Sequence, residues 1–302
     1  MYTNPNKFIQ FELWKDCKLG CRFCCNKGQP KTDKIKSLEM IISLLKNSEI
    51  IEGYNEIGFI GGEIFNDELS DKNVCIKFYE MIDCLKSLNM DKIYIATSLM
   101  YDMTNYLLPF LNYMSDNNLL DKCWICTSFD VAFRFKSLEQ KELWKNNMLE
   151  LTQKFPMLNK HVEMIITEHC INAILQNELN LSYFQKDYNA NVDFIEPSSG
   201  LFYDNKIECE KSCPGFFPKK SSFIKFLKKV KNEINLETLL SMELRSNKLY
   251  YYYNNDYKLV DDRRNGDGRC ELNGKKYEIG FIDSDIPMRE VVKQFIELNK
   301  DL

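Results

Sequence analysis

Short apolar runs and helix-spaced apolar stripes take turns along the first two-thirds of the chain. Phe8-Ile9-Gln10-Phe11-Glu12-Leu13-Trp14 reads as a buried strand. Ser37 is a candidate N-cap, and Leu38, Ile41, Ile42 and Leu45 follow it at helical spacing. The run from Glu56 to Ile60 is the second strand. Asp71 is placed to cap a helix with Val74, Phe78, Met81, Ile82 and Leu85 on its apolar face. Lys92 to Ala96 is the third strand, and Tyr101 to Met114 reads as a helix bent or broken at Pro109. Trp124 to Thr127 is the fourth strand. Ser137-x-x-Gln140 is a capping box opening a helix with Leu138, Trp144, Met148 and Leu151 on one side. His161 to Ile166 is the fifth strand, a helix runs from His169 to about Leu179, and Val192 to Ile195 is the sixth strand.

Strands that alternate with helices imply parallel βαβ units, hence an α/β fold. The strands read as continuous apolar runs, the pattern of a sheet covered on both faces. In such folds function gathers at the carboxyl ends of the strands. The periodicity stops between Leu201 and Pro218, which divides the chain into residues 1–200 and 201–302. Beyond it comes a basic amphipathic helix, with Phe223, Phe226, Leu227 and Val230 opposite Lys225, Lys228, Lys229 and Lys231. The expected sequel is a helix from Leu236 to Leu244 and short strands at Leu249–Tyr253 and Tyr257–Val260. A hairpin from Cys270 to Tyr277 turns at Asn273-Gly274. A last helix starts near Asp285 and Pro287, with Val291, Val292, Phe295 and Leu298 inward. This makes a small α+β C-terminal region.

With 302 residues and 44% apolar content, the chain can bury a full core. A net charge of −4 supplies no global positive field, which argues against bulk nucleic acid as a partner. No apolar run has the length of a signal or a membrane span, so a cytoplasmic location off the membrane is expected. Twelve cysteines in such a chain point to reduced thiols and metal rather than disulfides.

Three of the thiols, Cys17, Cys21 and Cys24, form a C-x3-C-x2-C run directly after the first strand. A closed iron–sulfur cluster takes four cysteines. Three leave one iron open, as a catalytic metal requires. A structural zinc site or thiols buried as small apolar groups are the other readings, but zinc wants a fourth ligand. The two histidines, His161 and His169, are distant in sequence. The second strand runs into Gly61-Gly62-Glu63.

The three cysteines, with Phe23 before the third, together with Gly61-Gly62-Glu63, resemble the signature of the radical SAM superfamily over roughly residues 8–200. Ile64 stands where the family often has proline. The resemblance implies a partial (β/α)6 TIM-like barrel, and the count of six strands agrees. It implies a [4Fe–4S] cluster on Cys17, Cys21 and Cys24 that chelates S-adenosylmethionine, and an oxygen-sensitive enzyme. One electron from a low-potential donor such as flavodoxin or ferredoxin then yields a 5′-deoxyadenosyl radical that takes hydrogen from a substrate. Glu63 would accept the cofactor's ammonium, and Gly61 and Gly62 would let backbone approach the ligand. Phe23 either supports the adenine or packs the loop.

Thr97, Ser98, Ser128 and Asp130 lie where the family holds its ligand on later strands. Ser128 and Asp130 would contact ribose or carboxylate, against turn capping as the bland reading. Thr167 and Glu168 are weaker candidates of the same kind. Cys209, Cys213 and Cys270 are either part of a second, auxiliary cluster or buried thiols. The substrate is a peptide or protein, or alternatively a nucleoside-type small molecule. A non-catalytic iron–sulfur or zinc protein is the reading from another class.

Overall fold

The computed structural model describes residues 8–21, 24, 31–199, 205–240, 249–251, 259–261, 263–265, 269–272 and 275–299. In order, the first part runs β1 (Phe8–Glu12), α1 (Lys34–Leu45), α2 (Ser48–Ile51), β2 (Glu56–Ile60), α3 (Lys72–Cys84), β3 (Lys92–Ala96) and α4 (Leu107–Asp116). It continues with β4 (Cys123–Phe129), α5 (Leu138–Lys154), β5 (Asn159–Ile165), α6 (Glu168–Leu175), α7 (Ser182–Tyr188) and β6 (Ala190–Ile195). β1 to β6 lie side by side in sequence order, every pair parallel. That is the strand order of a partial (β/α)6 barrel within the α/β class.

The strands are covered on one face only. Ile9, Phe11, Ile57, Phe59, Ile93, Ile95, Ile125, Val162, Met164 and Phe194 are buried. The alternate positions Gln10, Glu56, Tyr94, Trp124, Cys126, Ser128, His161 and Glu163 are half-buried. The expectation of strands buried on both faces is therefore corrected. The sheet has a dry face and a polar one, and the period of two was present at these positions in the chain.

Other local expectations shift for identifiable reasons. Asp33, not Ser37, caps α1, its carboxylate accepting from the Lys36 N–H at 3.1 Å. Ser37 lies buried inside the helix and donates to the Leu13 carbonyl. Pro109 neither bends nor breaks α4. It sits in the first turn, where its missing N–H has no intrahelical acceptor. Leu138 is 68% exposed while Trp144, Met148 and Leu151 are fully buried. Six residues are about 1.7 turns, so Leu138 points away from that stripe. The Ser137 hydroxyl accepts from the Gln140 N–H at 3.4 Å, and the Gln140 side chain accepts from Lys136. α6 stops at Leu175 rather than near Leu179, with Asn177 left-handed at φ 60, and α7 adds a helix that sequence reading missed.

After β6 come α8 (Lys206–Ser212), α9 (Lys220–Val230), α10 (Glu237–Leu240), β7 (Leu249–Tyr251), β8 (Leu259–Asp261), β9 (Arg263–Asn265), β10 (Arg269–Leu272), β11 (Lys275–Glu278) and α11 (Met288–Leu298). α9 buries Phe223, Phe226, Leu227 and Val230 and packs against α6. β7 joins the large sheet parallel to β1, and β8 pairs antiparallel with β7. β9, β10 and β11 form a separate antiparallel meander, and the expected turn at Asn273-Gly274 lies outside the described residues. The chain beyond β6 pairs with that meander: Ser199 N–H donates to the Glu278 carbonyl at 2.8 Å, and Gly280 N–H to that of Pro197 at 3.1 Å. The meander thus continues from the carboxyl end of β6. In α11, Val291, Val292 and Phe295 are buried, but Leu298 is 83% exposed because its turn runs past the surface it packs on. The rest of the expected helix at 236–244 and the chain between the two expected short strands lie outside the described residues. Among the described residues no helix is long and apolar enough to cross a membrane.

Lys160 on β5 is 2% exposed, and its ammonium has the Leu158 carbonyl at 3.0 Å. Burial pushes its pKa down to about 8. The unfolded chain binds this proton up to about pH 10.4, so folding is penalised below pH 8 and recovers between the two values. Lys160→Met should raise stability at pH 7 by up to about 3 kcal/mol. That gain should shrink toward zero by about pH 10.4, as read from urea unfolding of both proteins at matched pH.

Candidate active site

Past β1 and β2 the two chains stay zipped together. Leu13 N–H donates to the Ile60 carbonyl at 2.8 Å, Gly62 N–H to Trp14 at 2.8 Å, and Glu63 N–H to Asp16 at 3.0 Å. The Trp14 indole donates to the Glu63 carbonyl at 2.9 Å. A Cβ on Gly61 would lie 2.6 Å from the Trp14 carbonyl oxygen, and one on Gly62 only 2.0 Å from that of Asp16. The close approach that needs these glycines is therefore to the chain's own backbone, rather than to the ligand expected from sequence. At the far end of the thiol loop, Asp16 accepts from the Thr32 N–H at 3.2 Å and pairs with Lys34 at 3.1 Å.

The loop between these ties carries the three thiols. Cys17 and Cys24 are half-buried and Cys21 is 7% exposed. Gly20 takes a left-handed φ of 60°, and Cys24 N–H donates to the Cys21 carbonyl at 3.2 Å. Burial raises the Cys17 thiol most; the Leu19 N–H opposes it, and Glu63, Cys24 and Cys21 add to it. Burial also raises Cys21, with Arg134 opposing and Cys24 adding. The three sulfurs are near enough to repel one another as thiolates. Among the described residues no three Cys, His, Asp or Glu side chains are grouped closely enough to hold a metal ion.

The donor set still fits a three-thiolate cluster in kind, with three soft ligands on one short loop. Zinc fits less well, because both histidines are placed elsewhere. His161 bonds Asp193 at 3.0 Å and His169 meets the Pro214 carbonyl at 2.8 Å. Phe23 and Cys25 lie outside the described residues.

Glu63 is 4% exposed and held by three donors. The Thr97 hydroxyl reaches Oε1 at 2.8 Å, the Phe65 N–H reaches Oε1 at 3.1 Å and the Ser98 N–H reaches Oε2 at 2.7 Å. A carboxylate has about four acceptor positions, so three bonds leave room for roughly one more. Glu63 and Ser98, with Lys18, Leu19, Phe65, Met100 and Tyr101, line a cavity of about 280 Å³. Leu99 beside it is buried at a φ of 55°. The Asn147 side chain holds that turn by donating to the Leu99 and Tyr101 carbonyls at 3.0 and 2.8 Å. Sequence reading missed Asn147; its signal was an amide in line with the buried stripe of α5.

Ser128 and Asp130 do not line this cavity. Ser128 lies on the polar face beside Glu163. Asp130 is 1% exposed, and its Oδ1 accepts from the N–H groups of Ala132, Phe133 and Arg134. It builds the turn after β4. That turn aims two cations at the thiol loop, Arg134 beside Cys21 and Lys136 with its Nζ 3.1 Å from where a Gly20 Cβ would sit. Both were overlooked in the sequence, where they are two basic residues in a short loop after a strand. Thr167 caps α6 through Cys170, and Glu168 accepts from Lys219 N–H and the Ser222 hydroxyl.

Cys209 and Cys213, one turn apart on and after α8, are buried with Phe133, Phe216 and Phe217. Burial, with Cys213 adding, pushes the Cys209 thiol up to about 12. This is the setting of thiols used as small apolar groups. Of Cys270 only the backbone, in β10, is described. A cavity of about 510 Å³ lies between α5 and α7 and includes none of the thiol loop.

Known proteins resemble the chain only loosely. No protein-family model matches it, and no curated protein matches it. Solved structures that resemble it include anSMEcpe with bound AdoMet and the Cp18Cys peptide. That match has a TM-score of 0.48 and 17% identity over 76% of this chain and 59% of that one. Streptococcus suis SuiB bound to S-adenosylmethionine matches with TM-score 0.49 and 10% identity, over 82% and 50% of the two chains. anSMEcpe with AdoMet and the Kp18Cys peptide matches with TM-score 0.48 and 16% identity, over 97% and 81%. The chain thus spans 50% to 59% of the length of two of these structures. The likeness is loose, and no residue role is taken from it.

Gly62→Ala forces a Cβ into the Asp16 carbonyl and should cost about 3 kcal/mol or more in urea unfolding. The same variant should load less iron after anaerobic reconstitution, because the thiol loop must move away from β2.

Proposed function

We propose that the chain is a radical S-adenosylmethionine enzyme acting on a peptide. The observation that carries this reading is the backbone zipper that fixes the three-thiol loop against Glu63, at the carboxyl ends of adjacent parallel strands. Cys17, Cys21 and Cys24 would hold three irons of a [4Fe–4S] cluster. Bound there, the cluster would supply one-electron chemistry to S-adenosylmethionine.

The protein's own part is placement. Thr97, Ser98 and Phe65 hold the Glu63 carboxylate in one orientation, with acceptor capacity left for an ammonium. Arg134 and Lys136 put positive charge on the Cys21 side of the loop, opposite in sign to Glu63 near Cys17. Leu19, Phe65 and Met100 give the cavity apolar wall that limits water. The polar face of β1 to β6 is the substrate side, and residues 201–302 complete it. A peptide suits this arrangement because, among the described residues, β9 is an edge strand of the meander, onto which an extended chain can pair.

Reconstituted protein given S-adenosylmethionine and dithionite without oxygen should form 5′-deoxyadenosine and carry about four irons per chain. Replacing Cys17, Cys21 or Cys24 with Ala should abolish both. A protein that binds iron but makes no 5′-deoxyadenosine would be a non-catalytic iron–sulfur protein. Glu63→Ala should weaken S-adenosylmethionine binding by roughly tenfold to a hundredfold in calorimetry, with the cluster still assembling.

A further inference from the structure

β4, β5 and β6 bring three reactive side chains together on the polar face of the sheet. The register sets Cys126 beside His161, and Glu163 beside Asp193 one step further toward the carboxyl ends. Residues side by side in a ladder point to the same face, about 5 Å apart. His161 leans along this face to Asp193, with Nδ1 3.0 Å from Oδ2. An imidazole nitrogen against a carboxylate carries the proton, which leaves Nε2 as the basic nitrogen, directed away from β6. On that side the ring meets Trp124 edge-on, with centroids 5.5 Å apart, and Cys126 holds the neighbouring register position.

Cys126 is half-buried, and its thiol donates to the Trp124 carbonyl oxygen at 4.0 Å, the bond it gives up when its proton moves to His161. The Tyr94 phenol on β3 is raised by burial first, and then by Glu56, Cys126 and Asp193 among its neighbours, so these groups share one patch. Lys92, paired with Glu56 at 3.0 Å, and Glu163 also bring charge to this face. None of these residues lines the Glu63 cavity.

A thiol beside an imidazole whose other nitrogen is held by a carboxylate is the arrangement that activates a nucleophile. We propose that Cys126, His161 and Asp193 form a nucleophilic thiol site for an electrophilic carbon of the bound substrate. The Sγ forms a bond to that carbon, and the bond from carbon to its leaving group breaks with the electron pair. The thiol proton passes to His161 Nε2, and Asp193 stays ionised against the imidazolium. The inference rests on the proposed function only in taking this face as the substrate side. The thiol chemistry needs neither the cluster nor S-adenosylmethionine.

Iodoacetamide tests it on the full, anaerobically reconstituted chain, with each modified cysteine mapped by mass spectrometry across about pH 5.5 to 9. Cys75 on α3, half-buried and raised by burial, is the internal reference. Cys126 should react at least about tenfold faster than Cys75 at pH 7 and stay reactive well below the ordinary thiol value of about 8.5. His161→Gln should bring its rate and pH profile to those of Cys75, and Asp193→Asn should move them part of the way. Equal rates for Cys126 and Cys75 in the unaltered protein overturn the proposal, whatever the variants do. An unchanged profile in folded His161→Gln overturns it too. A fast Cys126 in a protein that forms no 5′-deoxyadenosine upholds the thiol site while the radical reading fails.

Discussion

The thiol loop and the Glu63 carboxylate are tied together by a backbone-to-backbone contact that tolerates no side chain. β1 and β2 continue past their carboxyl ends as a tight ladder, Leu13 to Ile60, Gly62 to Trp14 and Glu63 to Asp16. Only glycine at 61 and 62 lets the two strands approach this closely. The ladder makes the thiol loop and the Glu63 carboxylate parts of one stiff unit. Neither group could hold its place as an isolated loop, because loops without such ties open at low free-energy cost. Buried Trp14 reinforces the contact through its indole hydrogen bond to Glu63.

A nearly buried carboxylate is costly unless its oxygens are satisfied. Glu63 meets that demand with donors from the ends of β2 and β3, so burial, orientation and the parallel sheet depend on one another. Leu99 in a left-handed conformation and the Asn147 amide that holds its turn follow from the same demand. The charge around the thiols is then unequal from side to side. Glu63 adds negative charge near Cys17, while the turn built by Asp130 delivers Arg134 and Lys136 near Cys21. An ion with separated charges meets a matching polarity there.

Which stretches become strands and helices was legible in the chain. The six apolar runs become β1 to β6, and Asp71, Ser137 and Thr167 stand at the helix starts where short polar side chains serve as caps. The misreadings share a cause. Ser37 looks like a cap but hydrogen-bonds Leu13 from inside α1, since a buried contact outweighs local preference. Pro109 looks like a breaker but falls in the one turn that tolerates it. The apolar runs look fully buried, yet Tyr94, Trp124, Cys126 and His161 share a polar face that only strand register reveals.

The sequence by itself determined the chemistry on offer and its place. Three thiols at short spacing after one strand, and a Gly-Gly-Glu after the next, are local facts, and parallel βαβ order sends both to the same edge of the sheet. Only the tertiary structure decided what those residues do for the backbone, which cations face Cys21, and that Cys126, His161 and Asp193 meet across three strands. These are contacts between residues far apart in the chain. They depend on register, side-chain reach and burial, and none of those is written in the order of neighbouring residues.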